Sequence, residues 1–230
     1  MLDRQIHKSI LLQILKDIYT NSSLGPLLGF KGGTAAHLFY NLDRFSVDLD
    51  FDLLNDEKET VVFEKVEEIL NEYGAIKDKY IKRHTILFIL SYEDQAPNIK
   101  VEINSRSFGS CYTVQNYLGI SMLVMEREDM FAHKLVAMLE RTKTAHRDVY
   151  DVWYFLRNRW PLNKGIVEKR TKMDFGRYLE KCIKFVESLS ARTILSGLGE
   201  LMDEKQIVWA KNNLKNDTVF LLKLLLEQEK

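Results

Sequence analysis

Val47-Asp48-Leu49-Asp50-Phe51-Asp52-Leu53 alternates strictly between apolar and acidic residues. A period of two predicts a strand with Val47, Leu49, Phe51 and Leu53 on one face and three aspartates on the other. Three like charges on one face repel, and a solvated edge strand usually dilutes such charge with Lys or Thr. A divalent cation offsets the repulsion, and a hard ion such as Mg2+ takes oxygen ligands. Strand rise sets the Asp48 and Asp50 α-carbons about 7 Å apart, a span that suits two carboxylates gripping one or two ions. Asp52, near the strand end, is the weaker ligand candidate. The competing reading of a bare Asp-x-Asp is the solvent face of an amphipathic edge strand, so the flanking sequence has to decide.

Upstream, Leu27, Leu28 and Phe30 form a short apolar run that ends at Lys31-Gly32-Gly33-Thr34. This predicts a strand, a glycine turn and a short helix capped by Thr34 and reaching about Tyr40. Glycines in such a place let the backbone approach a phosphate, and a helix N-terminus offers free N–H groups and a positive dipole end. Gly-Gly alone also suits an ordinary turn, and no Gly-Lys-Ser/Thr follows to make a P-loop. Downstream, Ile99–Asn104 alternates as well and sets Glu102 opposite to Val101 and Ile103. If that strand lies beside the Asp48 strand, Glu102 completes a cluster of three carboxylates; taken alone, it is an exposed strand acid.

Apolar spacing predicts helices over 6–18, 57–72, 127–141, 148–157, 174–189 and 207–227, and a further strand over 85–92. The fold class is α/β (α+β): an α/β half over 1–125, with an all-helical half over 126–230 packed against it. With 33 basic and 33 acidic residues the net charge is zero, which neither supports nor excludes nucleic-acid binding. Cys111 and Cys182 have no metal-like spacing and are expected to be free thiols in a reducing compartment. No apolar run is long enough for a membrane span and the start lacks a signal-peptide h-region, so a cytoplasmic protein is expected. His37, His84 and His133 suggest no metal triad. Trp153, Phe155 and Leu156 are expected in the core, as is Phe220–Leu226, part of which could face a protein partner.

Phe30-Lys31-Gly32-Gly33-Thr34-Ala35 and Arg44-Phe45-Ser46-Val47-Asp48-Leu49-Asp50-Phe51 resemble the nucleotidyl transferase AbiEii/AbiGii toxin family. That family lies in the DNA polymerase β-like nucleotidyltransferase superfamily. A second block, Lys134-Leu135-Val136-Ala137 to Arg141 and then Arg147-Asp148-Val149-Tyr150-Asp151, resembles the same family; the likeness covers about residues 27–156. It implies a small mixed sheet flanked by helices and a Mg2+- (or Mn2+-) dependent transfer of a nucleotide from an NTP to an acceptor, a tRNA 3′ end or a protein hydroxyl. It also implies the toxin of a type IV toxin–antitoxin system, with an antitoxin encoded nearby that forms no stable complex. By the same resemblance Asp48, Asp50 and Glu102 hold metal, Glu102 standing where the superfamily often has Asp. Lys31, Gly32, Gly33, Thr34 and Ser46 would hold the nucleotide, and Lys134 and Asp148 would act in the reaction. Plainer readings stand beside these: Lys134 as a snorkelling surface lysine, Asp148 as a helix N-cap, and Arg141, Lys143, His146 and Arg147 as a solvated basic link. Alternative functions are an NTP-binding module without transfer activity and a small-molecule, antibiotic-type nucleotidyltransferase.

Overall fold

In the computed structural model, which describes residues 2–140, 146–190 and 193–229, the alternation at 49–53 does form a strand. The chain divides into two compact units, residues 1–126 and 127–230. Arg141 and Lys143 of the basic link lie outside the described residues.

The first unit runs α1 (Arg4–Thr20), β1 (Leu28–Lys31), α2 (Gly32–Phe39), β2 (Leu49–Leu53), α3 (Glu59–Asn71), β3 (Ala75–Lys82), β4 (Thr85–Ser91), β5 (Ile99–Asn104), β6 (Tyr112–Tyr117) and β7 (Ile120–Met125). Its strands form one mixed seven-stranded sheet in the order β3-β4-β5-β2-β1-β7-β6. β2 pairs parallel with β5 and antiparallel with β1, while β1 pairs parallel with β7. One face carries the core. Leu49, Phe51 and Leu53 align with Val101, Ile103, Phe30 and Leu28, and these with Phe88 and Ile86. All are buried, as are Leu11, Ile14, Leu15 and Ile18 of α1 and Val62, Val66 and Leu70 of α3. The period-two pattern of the strands and the helical period of α1 and α3 thus meet in one apolar layer.

Three strands, β3, β6 and β7, were not expected from the sequence. β3 and β6 are the sheet's edges, and most of their side chains are exposed, so neither carries the hydrophobic alternation that marks a half-buried strand. The apolar run at 120–125 is the strand β7, and α2 begins at Gly32 rather than after Thr34.

The second unit contains α4 (Arg127–Glu140), α5 (Arg147–Arg157), α6 (Lys164–Thr171), α7 (Phe175–Ser188) and α8 (Glu204–Glu227). α5 packs on α4 and α8, and α8 on α7. Trp153 and Phe155 are buried, with Trp153 against Trp209 at 4.1 Å between ring centroids. Asp174 caps α7 through the Arg177 N–H, and a reciprocal Asp203–Gln206 capping box starts α8. Leu222 is buried, whereas Phe220 and Leu224 are exposed. Among the described residues no helix is long and apolar enough to cross a membrane.

Candidate active site

On the sheet face opposite the core, register brings the predicted acids together. Asp50 stands beside Glu102 across the parallel β2–β5 ladder, and Asp52 beside Asn104. The strand pairing that the three-acid reading requires is therefore present. Asp48 is not part of β2. Its carbonyl accepts from the Thr34 hydroxyl at 2.5 Å, and the Val47 carbonyl before it accepts from His7 Nε2 at 3.0 Å. Side chains rather than a neighbouring strand satisfy the backbone at this entry point, which ends the ladder at Leu49. Thr34 accordingly ties α2 to the Asp48 segment instead of capping the helix, whose N-cap residue is Lys31.

The glycine turn lies directly on this acidic edge. Gly32 has φ +81°, and a β-carbon there would collide with the Asp50 carboxylate. A β-carbon at Gly33 would come within 2.8 Å of Ser46 Oγ and 3.1 Å of an Arg44 guanidinium nitrogen. Both glycines are thus demanded by the approach of the α2 N-terminus to Asp50 and Ser46, and Gly32 by its left-handed backbone as well. Arg44 is fully buried and donates to the Phe45 carbonyl at 2.9 Å. Ser46 is buried too.

Asp52 is held away from this edge. Its carboxylate takes the Lys31 ammonium and the Tyr112 hydroxyl, each at 2.5 Å. Tyr112 reaches it by lying over Gly29, where any β-carbon would strike the ring. Lys31, a proposed nucleotide contact from sequence, is therefore engaged as an ion-pair partner of Asp52.

Sequence reasoning passed over Lys100. It sits two residues before Glu102 on the same strand face and donates to Glu102 Oε2 at 2.8 Å. Burial by itself would lower the Lys100 pKa, but the carboxylates of Asp50, Glu102 and Asp48 outweigh that and raise it. The alternation of residues 99–104 contained this signal. His7 was also missed: α1 buries it fully, and it links Val47 to the Tyr92 hydroxyl at 2.9 Å. Among the described residues no three or more His, Cys, Asp or Glu side chains stand ready to hold a metal ion. The acids nonetheless suit a hard divalent ion. They present carboxylate oxygens from adjacent chain segments on one face, and the fold already draws one cation, Lys100, against them.

In the helical unit the second sequence block forms a compact ion cluster. Asp148 and Asp151 lie one turn apart on α5, and the Lys134 ammonium of α4 bridges them at 2.9 and 2.8 Å. The Lys134 side chain is 12% exposed and the Asp151 side chain 0%, so Lys134 is no snorkelling surface residue. Asp148 falls inside α5, whose N-cap is His146. His146 is buried and donates its N–H to the Ser196 carbonyl. His37, His84 and His133 have separate partners: the Leu42 carbonyl, Ser105 and Arg170.

The model of one protein family, the nucleotidyl transferase AbiEii toxin of type IV toxin–antitoxin systems, matches residues 13–209. This chain belongs to that family. AbiEii membership carries nucleotidyltransferase activity in general and the toxin role of a type IV system, and with these a nucleotide substrate and an antitoxin partner. Two crystal structures share the AbiEii chain's fold. JHP933 from Helicobacter pylori superposes with a TM-score of 0.63 at 20% identity, covering 99% of this chain and 94% of its own. A second H. pylori structure, described as that of a candidate nucleotidyltransferase, gives 0.62 at 21% identity, covering 98% of this chain and 97% of its own. No curated protein matches the chain.

Proposed function

We propose that this AbiEii protein moves a nucleotide from an NTP to a hydroxyl acceptor at the edge where Gly32, Asp50 and Glu102 meet: the hydroxyl oxygen bonds to the α-phosphorus, and the bond from that phosphorus to pyrophosphate breaks, releasing pyrophosphate. The observation that carries the reading is the closeness of three parts: a glycine turn opening a helix, an aspartate packed against that turn, and a glutamate in lateral register with the aspartate. Nucleotidyl transfer asks the protein for positioning and charge stabilisation rather than covalent chemistry. The free N–H groups at the α2 start, Gly32 to Thr34, receive the triphosphate, with Ser46 beside Gly33. Asp48, Asp50 and Glu102 would hold Mg2+ or Mn2+, which when bound neutralises phosphate charge and polarises the reacting oxygens. Glu102 is the acid nearest the acceptor and takes up its hydroxyl proton. Lys100 balances the acids while no other cation is near and then turns toward phosphate oxygen. In the helical unit Lys134 and Asp148 are the second proposed pair, the ammonium being held by Asp148 and Asp151.

The acceptor is an RNA 3′ end, with tRNA the first candidate, or a protein hydroxyl. The antitoxin acts without a stable complex. The test incubates the protein with Mg2+, each labelled NTP in turn, and total RNA or total protein. Label should move to a macromolecule with the wild type and fail to move with Asp50→Asn or Glu102→Gln. NTP binding without transfer to anything would support a binding module instead, and label on an added aminoglycoside alone would support the small-molecule reading.

A further inference from the structure

The open sheet face does not end at Asp50 and Glu102. Register continues it outward: Glu102 aligns with Leu87 and Tyr80, and Asn104 with Thr85 and Lys82. Tyr80 and Lys82 therefore share the face that carries the acids. At this margin Tyr80, Lys82, Arg83, His84, Thr85 and Arg106 enclose an open cavity of about 500 Å³ with no acidic residue in its wall. Lys82, Arg83 and Arg106 make no ion pair among the described residues. In a protein of zero net charge that is a local concentration of uncompensated positive charge.

Two further features point to a built surface. Arg106 is aimed: its backbone N–H and its Nε both donate to Asn104 Oδ1, at 3.0 and 3.3 Å, leaving the terminal guanidinium nitrogens to the cavity. The β3–β4 turn is clamped to the segment leading to Arg106 by the Ser105 N–H on the His84 carbonyl at 2.9 Å. Arg83 holds a left-handed φ of +53°, where Gly or Asn would fit at less strain. Arg106 also lines a second cavity of about 450 Å³, whose wall carries Asp52, Asp56 and Glu57 beside Phe108 and Tyr112, so the cavity at the β3–β4 turn is the basic one.

We propose that the basic cavity at the β3–β4 turn, with Arg106, binds the phosphodiesters of a single-stranded nucleic-acid acceptor whose 3′ hydroxyl is presented at Glu102. The proposal rests on the transfer reading and selects nucleic acid over a protein acceptor. Guanidinium and ammonium groups without acid partners match phosphate oxygens, and the exposed Tyr80 ring offers a stacking face for a base. The span fits as well. From Glu102 to Lys82 is two interstrand spacings sideways and one two-residue step along, about 12 Å. That is about four nucleotides of a stacked strand at ~3.4 Å each.

Fluorescence anisotropy of a short 5′-labelled single-stranded RNA, titrated with the full chain over a salt series, tests this. Combining Lys82→Gln, Arg83→Asn and Arg106→Gln should lower the log–log salt slope by about 2, from three contacts at ~0.7 each, and weaken binding about 100-fold at 0.1 M salt. All three positions are exposed, so the melting temperature should hold. Unchanged affinity and slope, or a wild type that does not bind RNA, overturns the proposal. Asp50→Asn separates the two claims: it should abolish transfer while RNA affinity is retained. Full transfer by Asp50→Asn would sink the reaction reading and leave the surface to be judged by anisotropy alone.

Discussion

Replacing Gly32 with alanine should damage both stability and transfer, because the new methyl group meets two obstacles at once. The backbone there has φ +81°, and the Asp50 carboxylate occupies the space of the β-carbon. A left-handed non-glycine residue costs roughly 1–2 kcal/mol. Forcing a packed neighbour aside adds about 1–3 kcal/mol. The sum is about 2–5 kcal/mol, measurable as a fall in the urea midpoint with an unchanged slope. Displacing Asp50 by about an ångström should also slow label transfer about 100-fold. Introducing Gly32→Ala into an Asp50→Gly background removes the whole Asp50 side chain, its β-carbon included, from the collision, so its cost should drop toward the backbone part. The expected coupling is about 1 kcal/mol or more. An equal cost in both backgrounds would show that Asp50 does not press on the glycine turn, and the proposed site would lose its central contact.

Lys134→Met should destabilise the protein by about 3–5 kcal/mol in urea denaturation, since it removes the ammonium held between the buried Asp148 and Asp151 carboxylates. Lys223→Met, which removes an exposed pair with Glu187, should cost less than about 1 kcal/mol in the same assay. Lys100→Met should tighten Mn2+ binding by about tenfold in calorimetry without NTP, the scale of one unit charge at close range in a partly solvated site. Unchanged affinity would show that the ammonium does not share the carboxylates with the ion. Burial holds the His7 pKa below 6.5, despite the Val47 carbonyl and Asp48 that oppose the shift. Below about pH 6.5 the unfolded chain therefore binds more protons than the folded one, and stability should fall as pH drops through that range. His146, likewise lowered by burial, adds a slope of the same sign. The acid-side loss of melting temperature should be smaller in His7→Gln, which keeps a donor for the Val47 carbonyl; an identical pH profile would remove His7 from this role.

Much of the arrangement was legible because it follows period. The alternation at 49–53 and 99–104 fixed which residues share a face, and the helical spacing of Ile6, Ile10, Leu11, Ile14, Leu15 and Ile18 marked the inner side of α1, where the last four are buried while Ile6 at the helix start is exposed. Edge strands β3 and β6 were not legible, because strands without a buried face leave no periodic mark. For the same reason the basic cavity at the β3–β4 turn was invisible: Arg106 comes more than twenty residues after Arg83 and meets it only through strand pairing. That Lys134 reaches Asp151 as well as Asp148 was hidden too, since an i, i+3 pair on one helix does not say that a single cation of another helix will lie between its carboxylates.

The chain's own order of residues determined the family, the acidic face, the glycine turn and the helical character of its second half, all of which are local patterns. Only the tertiary structure decided that Asp50 lies beside Glu102 and against Gly32, that Asp52 is taken by Lys31 and Tyr112, and that Lys100 stands among the acids. The physical reason is that strand order and register are set by the burial of the apolar face as a whole, whereas the polar face inherits its neighbours from that choice.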